Sequence, residues 1–313
     1  MAGTRKGTYK ITNWRKYNES LVQRGSITFW FSEDVIDQWE HANEESKVGH
    51  PFVYSDIAIE SLLVLRELFR LPYRQTEGLG RSLAQLMQVE VSIPDYTSLA
   101  KRAAKMEVSL GVSGRTGAID VVVDSTGLKV FGEGEWKTRK HGISKRRTWR
   151  KLHLAVNSET QEIEAEVLTE NSGHDADQVD GLLKQIESPV GSFRGDGAYD
   201  QWKVYGRLAG QGIEAVIPPR KNAKIKQNGN SSQPPLIRDE AIRGIRRVGR
   251  RQWKKEVGYH RRSLAETAMY RMKSCFGSTL KNREHENQRA EARLRSKILN
   301  RFTHLGLPQF EWG

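Results

Sequence analysis

The chain has 313 residues, of which 37% are hydrophobic, enough for one large domain or two ordinary ones, and no apolar run is long enough to span a membrane. Its single cysteine, Cys275, excludes an intramolecular disulfide and fits a reducing cytoplasm, and Met1-Ala2-Gly3-Thr4-Arg5-Lys6 lacks the apolar core of a signal peptide. With 51 Lys and Arg against 38 Asp and Glu, the formal net charge of +13 calls for a polyanionic partner or a membrane surface.

Residues 1–50 read as a basic N-terminal arm and connector. Asn13-Trp14-Arg15-Lys16-Tyr17-Asn18 and Ile27-Thr28-Phe29-Trp30-Phe31 bring aromatics without a clear period, and Ser32 before Glu33-Asp34 predicts a helix over 35–41. Residues 51–112 read as a helical domain. Its first helix, 54–70, is capped by Ser55, places Ile57, Ile59, Leu62, Leu63, Leu65 and Leu68 at apolar positions, and stops at Leu71-Pro72. A second covers 76–87, and Pro94-Asp95 opens a third that carries Lys101, Arg102 and Lys105. Three helices ending in a basic one suit helix-turn-helix DNA recognition or a plain bundle; the net charge favours DNA.

The loop Ser113-Gly114-Arg115-Thr116-Gly117 marks the domain boundary. An apolar run over 118–123 predicts a strand that ends at Asp124, facing a Ser125-Thr126-Gly127 turn. Alternation over 151–156 and 162–168 predicts a hairpin. A helix over 174–186, a strand over 192–196, a helix over 201–208 and a strand over 214–217 follow. Residues 220–255, rich in Asn, Gly, Ser, Pro and Arg, read as a basic irregular insertion. Basic clusters at 137–140, 145–147, 243–251 and 254–255 are interleaved with Trp136, Trp149 and Trp253. Such rings can stack on exposed bases, although a core Trp is the commoner fate.

From Leu264 a helix of good formers begins, with Ser263 as N-cap and Glu266 completing a capping box. Leu264, Ala268 and Met272 form a packing stripe, while Arg262, Glu266, Tyr270 and Lys273 share a second stripe. By itself that second stripe reads as a solvated helix face. Cys275 lies in the same helix, as a buried structural thiol. A last helix, 286–302, turns Ala290, Leu294, Ile298 and Leu299 to one side.

Asp124 and Asp196 both end predicted strands. In a mostly parallel sheet such carboxylates share one rim, over which a packed helix can hold Glu266. Three carboxylates at close range repel unless cations lie between them, and hard oxygen donors suit Mg²⁺ or Mn²⁺. Two such ions would clamp the attacking and leaving oxygens of a phosphodiester substitution. Asp120, Asp175, Asp177 and Asp200 read as turn or strand-start residues, with Asp200 the serious rival to Asp196.

Val123-Asp124-Ser125-Thr126-Gly127-Leu128-Lys129-Val130, then Gly195-Asp196-Gly197-Ala198-Tyr199-Asp200, then Tyr259, Arg262, Glu266 and Lys273 at intervals of three, four and seven resemble the DDE transposases of bacterial insertion sequences. The last set matches that group's Tyr-Arg-Glu-Lys signature in residue type and spacing. Trp136-Lys137, residues 149–154 and residues 260–268 are similar to the branch with a short chain and no large β-insertion. The likeness covers about residues 10–305. It implies an α/β fold: a ribonuclease H-like catalytic core of mixed sheet and helices over 117–305, behind an all-helical, helix-turn-helix-like DNA-binding region. It also implies that Asp124, Asp196 and Glu266 are catalytic and hold metal, two Mg²⁺ ions with Mn²⁺ as substitute. Tyr259, Arg262 and Lys273 would contact DNA near the element end.

The activity implied is binding of terminal inverted repeats, metal-dependent strand cleavage and strand transfer into target DNA. Double-stranded DNA is the expected partner, with at least a homodimer on DNA, no membrane, and a cytoplasmic, nucleoid-associated location. The alternative is a catalytically silent, transposase-derived DNA-binding regulator.

Overall fold

The computed structural model describes residues 9–42, 51–114, 116–130, 149–227 and 234–312. Trp136, Lys137, the basic clusters at 137–140 and 145–147 and the first eight residues lie outside these. The chain forms two compact units, Met1–Val108 with Lys297–Gly313, and Ser109–Ser296.

In the first unit, β1 (Tyr9–Ile11) pairs antiparallel with β8 (Phe310–Trp312), which ties the two ends of the chain together. Three short helices follow, α1 (Trp14–Gln23), α2 (Ile27–Trp30) and α3 (Glu33–Asp37). The sequence predicts one helix here. Trp30, Phe31 and Trp39 supply the burial, and the indole of Trp39 donates to the carbonyl of Ser92 at 2.7 Å. Isolated aromatic anchors of this kind leave no amphipathic period to read. α4 (Asp56–Phe69) starts where Ser55 accepts the Ala58 N–H, and α6 (Tyr96–Ala103) starts where Asp95 accepts from Thr97 and Ser98. Between them, α5 (Tyr73–Leu86) runs so close to α4 that a Cβ on Gly80 would meet Leu62 at 2.8 Å. Ile57, expected on the apolar face of α4, is 40% exposed, while Ala58 and Ile59 are buried.

The second unit is built on a mixed sheet. β2 (Ile119–Val130), β3 (Trp149–Asn157) and β4 (Ile163–Glu170) form an antiparallel meander, and β5 (Val190–Arg194) and β6 (Glu214–Val216) add parallel to β2. The order is β4-β3-β2-β5-β6, and β7 (Thr279–Leu280) pairs parallel with the far end of β2. This is the ribonuclease H-like order. Alternation along β2 sends Ile119, Val121 and Val123 to one face. There they pack with Phe193 and with Val179, Leu182, Leu183, Val204 and Leu208 from α7 (Val179–Leu183) and α8 (Trp202–Gly210). α11 (Ser263–Phe276) packs on β2 and β3 through Ala265, Ala268, Met269, Met272 and Phe276. Each large apolar side chain buried in this way contributes roughly 1.5–3 kcal/mol.

Two expectations need correction. The helix expected over 174–186 is a 3-10 turn, Asp175–Asp177, followed by the short α7. Residues 220–255 are not irregular throughout, because α9 (Ile237–Val248) and α10 (Arg250–Glu256) occupy their second half. Ile237, Ala241, Ile242, Ile245 and Val248 form the stripe of α9, set among arginines that mask it in the sequence. Buried Asp239 accepts backbone N–H groups from Lys226 and Gln227, and Trp253 packs against Gly244. α12 (His285–Leu305) closes the helical set.

Candidate active site

β2 does not end at Asp124. Its ladder to β3 continues from Val121↔Asn157 to Lys129↔Trp149, so Ser125, Thr126 and Gly127 are strand rather than turn. The neighbour that ends is β5. Its register with β2 closes at Val122↔Arg194, and two further residues along each chain bring Asp124 and Asp196. Oδ1 of Asp124 accepts the N–H of Ser125, and Oδ1 of Asp196 accepts the N–H of Ala198, each at 2.8 Å. Asp196 thereby caps the 3-10 turn Gly197–Tyr199. That turn folds Tyr199 back over Gly195, where a Cβ would lie 2.7 Å from the ring, so only glycine fits.

Gly258, at φ 63°, opens the 3-10 turn Tyr259–Arg262, which runs straight into α11. The expected capping box does not form. Ser263 Oγ donates to the carbonyl of His260 at 3.0 Å, and the Glu266 carboxylate pairs with Arg262 instead. The preceding turn already supplies helical backbone, so no side-chain cap is needed. The buried stripe is Ala265, Ala268, Met269, Met272 and Phe276, with Leu264 only half-buried.

The guanidinium of Arg262 links the blocks. It donates to Oδ2 of Asp124 at 2.5 Å and to Glu266. Lys273, two turns further along α11, donates to Thr126 Oγ1 at 2.6 Å. Tyr259 lies beside Arg262, with Lys254 Nζ 4.5 Å from its ring. Burial pushes the carboxyl of Asp124 above its ordinary range, the Asp196 charge adds to this, and Ser125 and Arg262 oppose it. Burial disfavours the Arg262 charge, but Asp124, Tyr259 and Glu266 more than restore it. Glu266 keeps a half-exposed side chain.

Asp200, the rival, is engaged by partners of its own. Arg238 grips it through Nε at 2.6 Å and Nη2 at 3.0 Å, the Arg220 N–H donates at 2.8 Å, and the carboxylate is buried. Asp177 pairs with Lys203. Asp120 accepts from Ser192 at 2.6 Å and lies 3.1 Å from Arg194, four residues up the strand from Asp124. Trp253 is core, whereas Trp149 is half-buried, with Lys129 5.7 Å from its ring. Cys275 is half-buried. Sequence reading sets Asp175 aside as a turn residue and makes nothing of His153. Buried His153 and half-buried Asp175 lie behind β2 in one polar cluster, which no local spacing reveals.

Asp124 and Asp196 are hard anionic oxygen donors whose mutual repulsion a divalent cation would relieve, so their chemistry fits Mg²⁺ or Mn²⁺. Among the described residues no three His, Cys, Asp or Glu side chains are gathered to hold an ion. In this arrangement the positive charge between Asp124 and Glu266 is that of Arg262.

A family model described as "Transposase DDE domain" matches residues 115–301, and a second with the same description matches residues 22–133. The chain is also similar to the solved piggyBac transposase synaptic complex with hairpin DNA, at 10% identity over 96% of this chain and 80% of that one, with a TM-score of 0.40. For the pre-cleavage Mos1 transpososome the identity is 10% over 86% and 84%, with a TM-score of 0.22. For the Mos1 mariner paired end complex with Mn it is 11% over 89% and 86%, also with a TM-score of 0.22.

Proposed function

The chain belongs to the DDE transposase family, and from that premise we propose that Asp124, Asp196 and Glu266 are the catalytic carboxylates of a metal-dependent DNA strand cleavage and transfer site. The observation that carries this reading is the placement of Arg262 against both Asp124 and Glu266, with the Asp196 charge acting on Asp124. Residues 138 apart in sequence meet there, and each belongs to a block singled out by spacing.

Asp124 and Asp196 would hold Mg²⁺ or Mn²⁺, joined by Glu266 when Arg262 releases it. When bound, the ions polarise the phosphodiester and favour deprotonation of the attacking hydroxyl or water. Asp124 and Asp196 are held for this by the Ser125 and Ala198 N–H groups, which fix their orientation. Arg262, freed from its carboxylates, presents two N–H groups in the geometry that suits a phosphate. Lys273 adds a point charge on the same helix face, and Tyr259 with Lys254 extends the basic surface. Double-stranded DNA carrying the element's terminal inverted repeats is the substrate. The helices α4 to α6 are the DNA-binding region, and two ends brought together call for at least two chains.

The test incubates the protein with an oligonucleotide duplex bearing its element's end and Mg²⁺, and follows a freed 3′ hydroxyl and its joining to target DNA. Asp124→Ala and Glu266→Ala are each expected to reduce both steps by 10³-fold or more, on the order of 4 kcal/mol of barrier. Retained joining by either variant overturns the assignment. Tight end binding by wild-type protein without metal-dependent cutting makes it a silent regulator instead.

A further inference from the structure

Behind β2, on the face opposite Asp124, lies a polar cluster around buried His153 that no step above uses. Ser125 and His153 are directly paired across β2 and β3, so their side chains share that face. His153 is fully buried; its Nε2 is 3.0 Å from Thr169 Oγ1 and its Nδ1 is 3.2 Å from Oδ1 of Asp175. Oδ2 of Asp175 accepts from Lys151 Nζ at 2.9 Å, and Ser125, beside His153 on the same face, is close enough for its hydroxyl to help lower the Asp175 carboxyl. The Tyr199 hydroxyl is buried without a hydrogen-bond partner among the described residues and lies within the field of Asp175, Asp124 and Asp196. The two 3-10 turns that carry Asp175 and Tyr199 pack against each other.

Each catalytic aspartate is therefore oriented by a neighbour of this cluster. Ser125, whose N–H holds Asp124, is paired across the strands with His153, whose Nδ1 lies 3.2 Å from Asp175, and its hydroxyl faces that carboxylate. Ala198, whose N–H holds Asp196, is followed directly by Tyr199. We infer that Asp175 is a positioning residue: through Ser125 on one side and the Tyr199 turn on the other, it sets the spacing of Asp124 and Asp196 for the cation they share. A carboxylate behind a pair of ligands is a usual way of fixing ligand orientation. Burial alone would raise the Asp175 carboxyl, but contacts from His153, Ser125 and Lys151 hold it well below its ordinary range, so it remains an acceptor at neutral pH.

This inference rests on the reading of Asp124 and Asp196 as metal ligands, and the experiment separates the two. Mn²⁺ binding to the full chain is followed by loss of the free-ion paramagnetic resonance signal, beside thermal unfolding, for wild type, Asp124→Ala, Asp175→Asn and Ser125→Ala. Asp175→Asn is expected to weaken Mn²⁺ binding about tenfold or more, and Ser125→Ala to weaken it in the same direction. The cleavage kcat should fall while KM for end DNA stays unchanged. Ser125→Ala, which removes one hydroxyl, decides the matter if Asp175→Asn does not fold. Wild-type Mn²⁺ affinity in the folded variants, with Asp124→Ala defective, overturns the role of Asp175 alone. Wild-type affinity in Asp124→Ala overturns the underlying site.

Discussion

At the scale of the residue, identical carboxylates are told apart by what surrounds them. Asp196 and Asp200 are four positions apart, and local sequence offers no means of choosing between them except family spacing. The discriminating partner, Arg238, is 38 residues away from Asp200. Breaking a buried pair of this kind leaves an uncompensated charge and costs about 3–5 kcal/mol. Asp200→Ala is therefore expected to lower the denaturation midpoint sharply, whereas Asp124→Ala should abolish cleavage with little change in stability. Urea unfolding of the two variants checks this, and equal stability loss in both would refute it. The Asp200 carboxyl is held below its ordinary value because the bonds from Arg238 and Arg220 outweigh burial. Its stabilisation is thus present above the usual carboxylate range and is lost as pH falls below about 3.8.

At the scale of the element, periodicity located the helices and strands better than their faces and ends. The stripe of α11 is displaced by one residue from Leu264 to Ala265, because the turn before it sets the phase at which the helix meets the sheet. β2 outruns its apolar core by seven residues, since β3 pairs with it all the way. β4 carries a feature with a consequence for pH. Burial pushes the Glu166 carboxyl up to about 7, and Arg293 and Arg289 only partly offset this. Its folded pKa exceeds the unfolded value of 4.5, so its contribution is fully present below pH 4.5 and is lost as pH rises towards 7. The whole effect is about 3 kcal/mol. Denaturant unfolding at pH 5 and pH 8 should show wild type losing stability with rising pH and Glu166→Gln losing much less. Parallel curves for the two proteins would count against it.

At the scale of the whole molecule, a net charge of +13 predicts a large contribution of phosphate contacts to DNA affinity. Binding to end DNA is expected to weaken steeply with salt, and Arg262→Ala and Lys273→Ala should each reduce the slope of log K against log salt by about one. Fluorescence anisotropy over a range of NaCl concentrations measures this; unchanged slopes would place both residues off the DNA path. The sequence by itself determined the family and the main strands of the mixed sheet, and it singled out the three blocks from which the site residues are proposed, because those are written in motif, period and spacing along the chain. Only the tertiary structure decided that Arg262 takes both Asp124 and Glu266, that Asp200 is a core ion pair, and that Asp175, His153 and Tyr199 converge behind β2. Those outcomes depend on which side chains far apart in the chain come within a few ångströms of each other in a low-dielectric interior, and that distance is set by packing and register rather than by any local pattern.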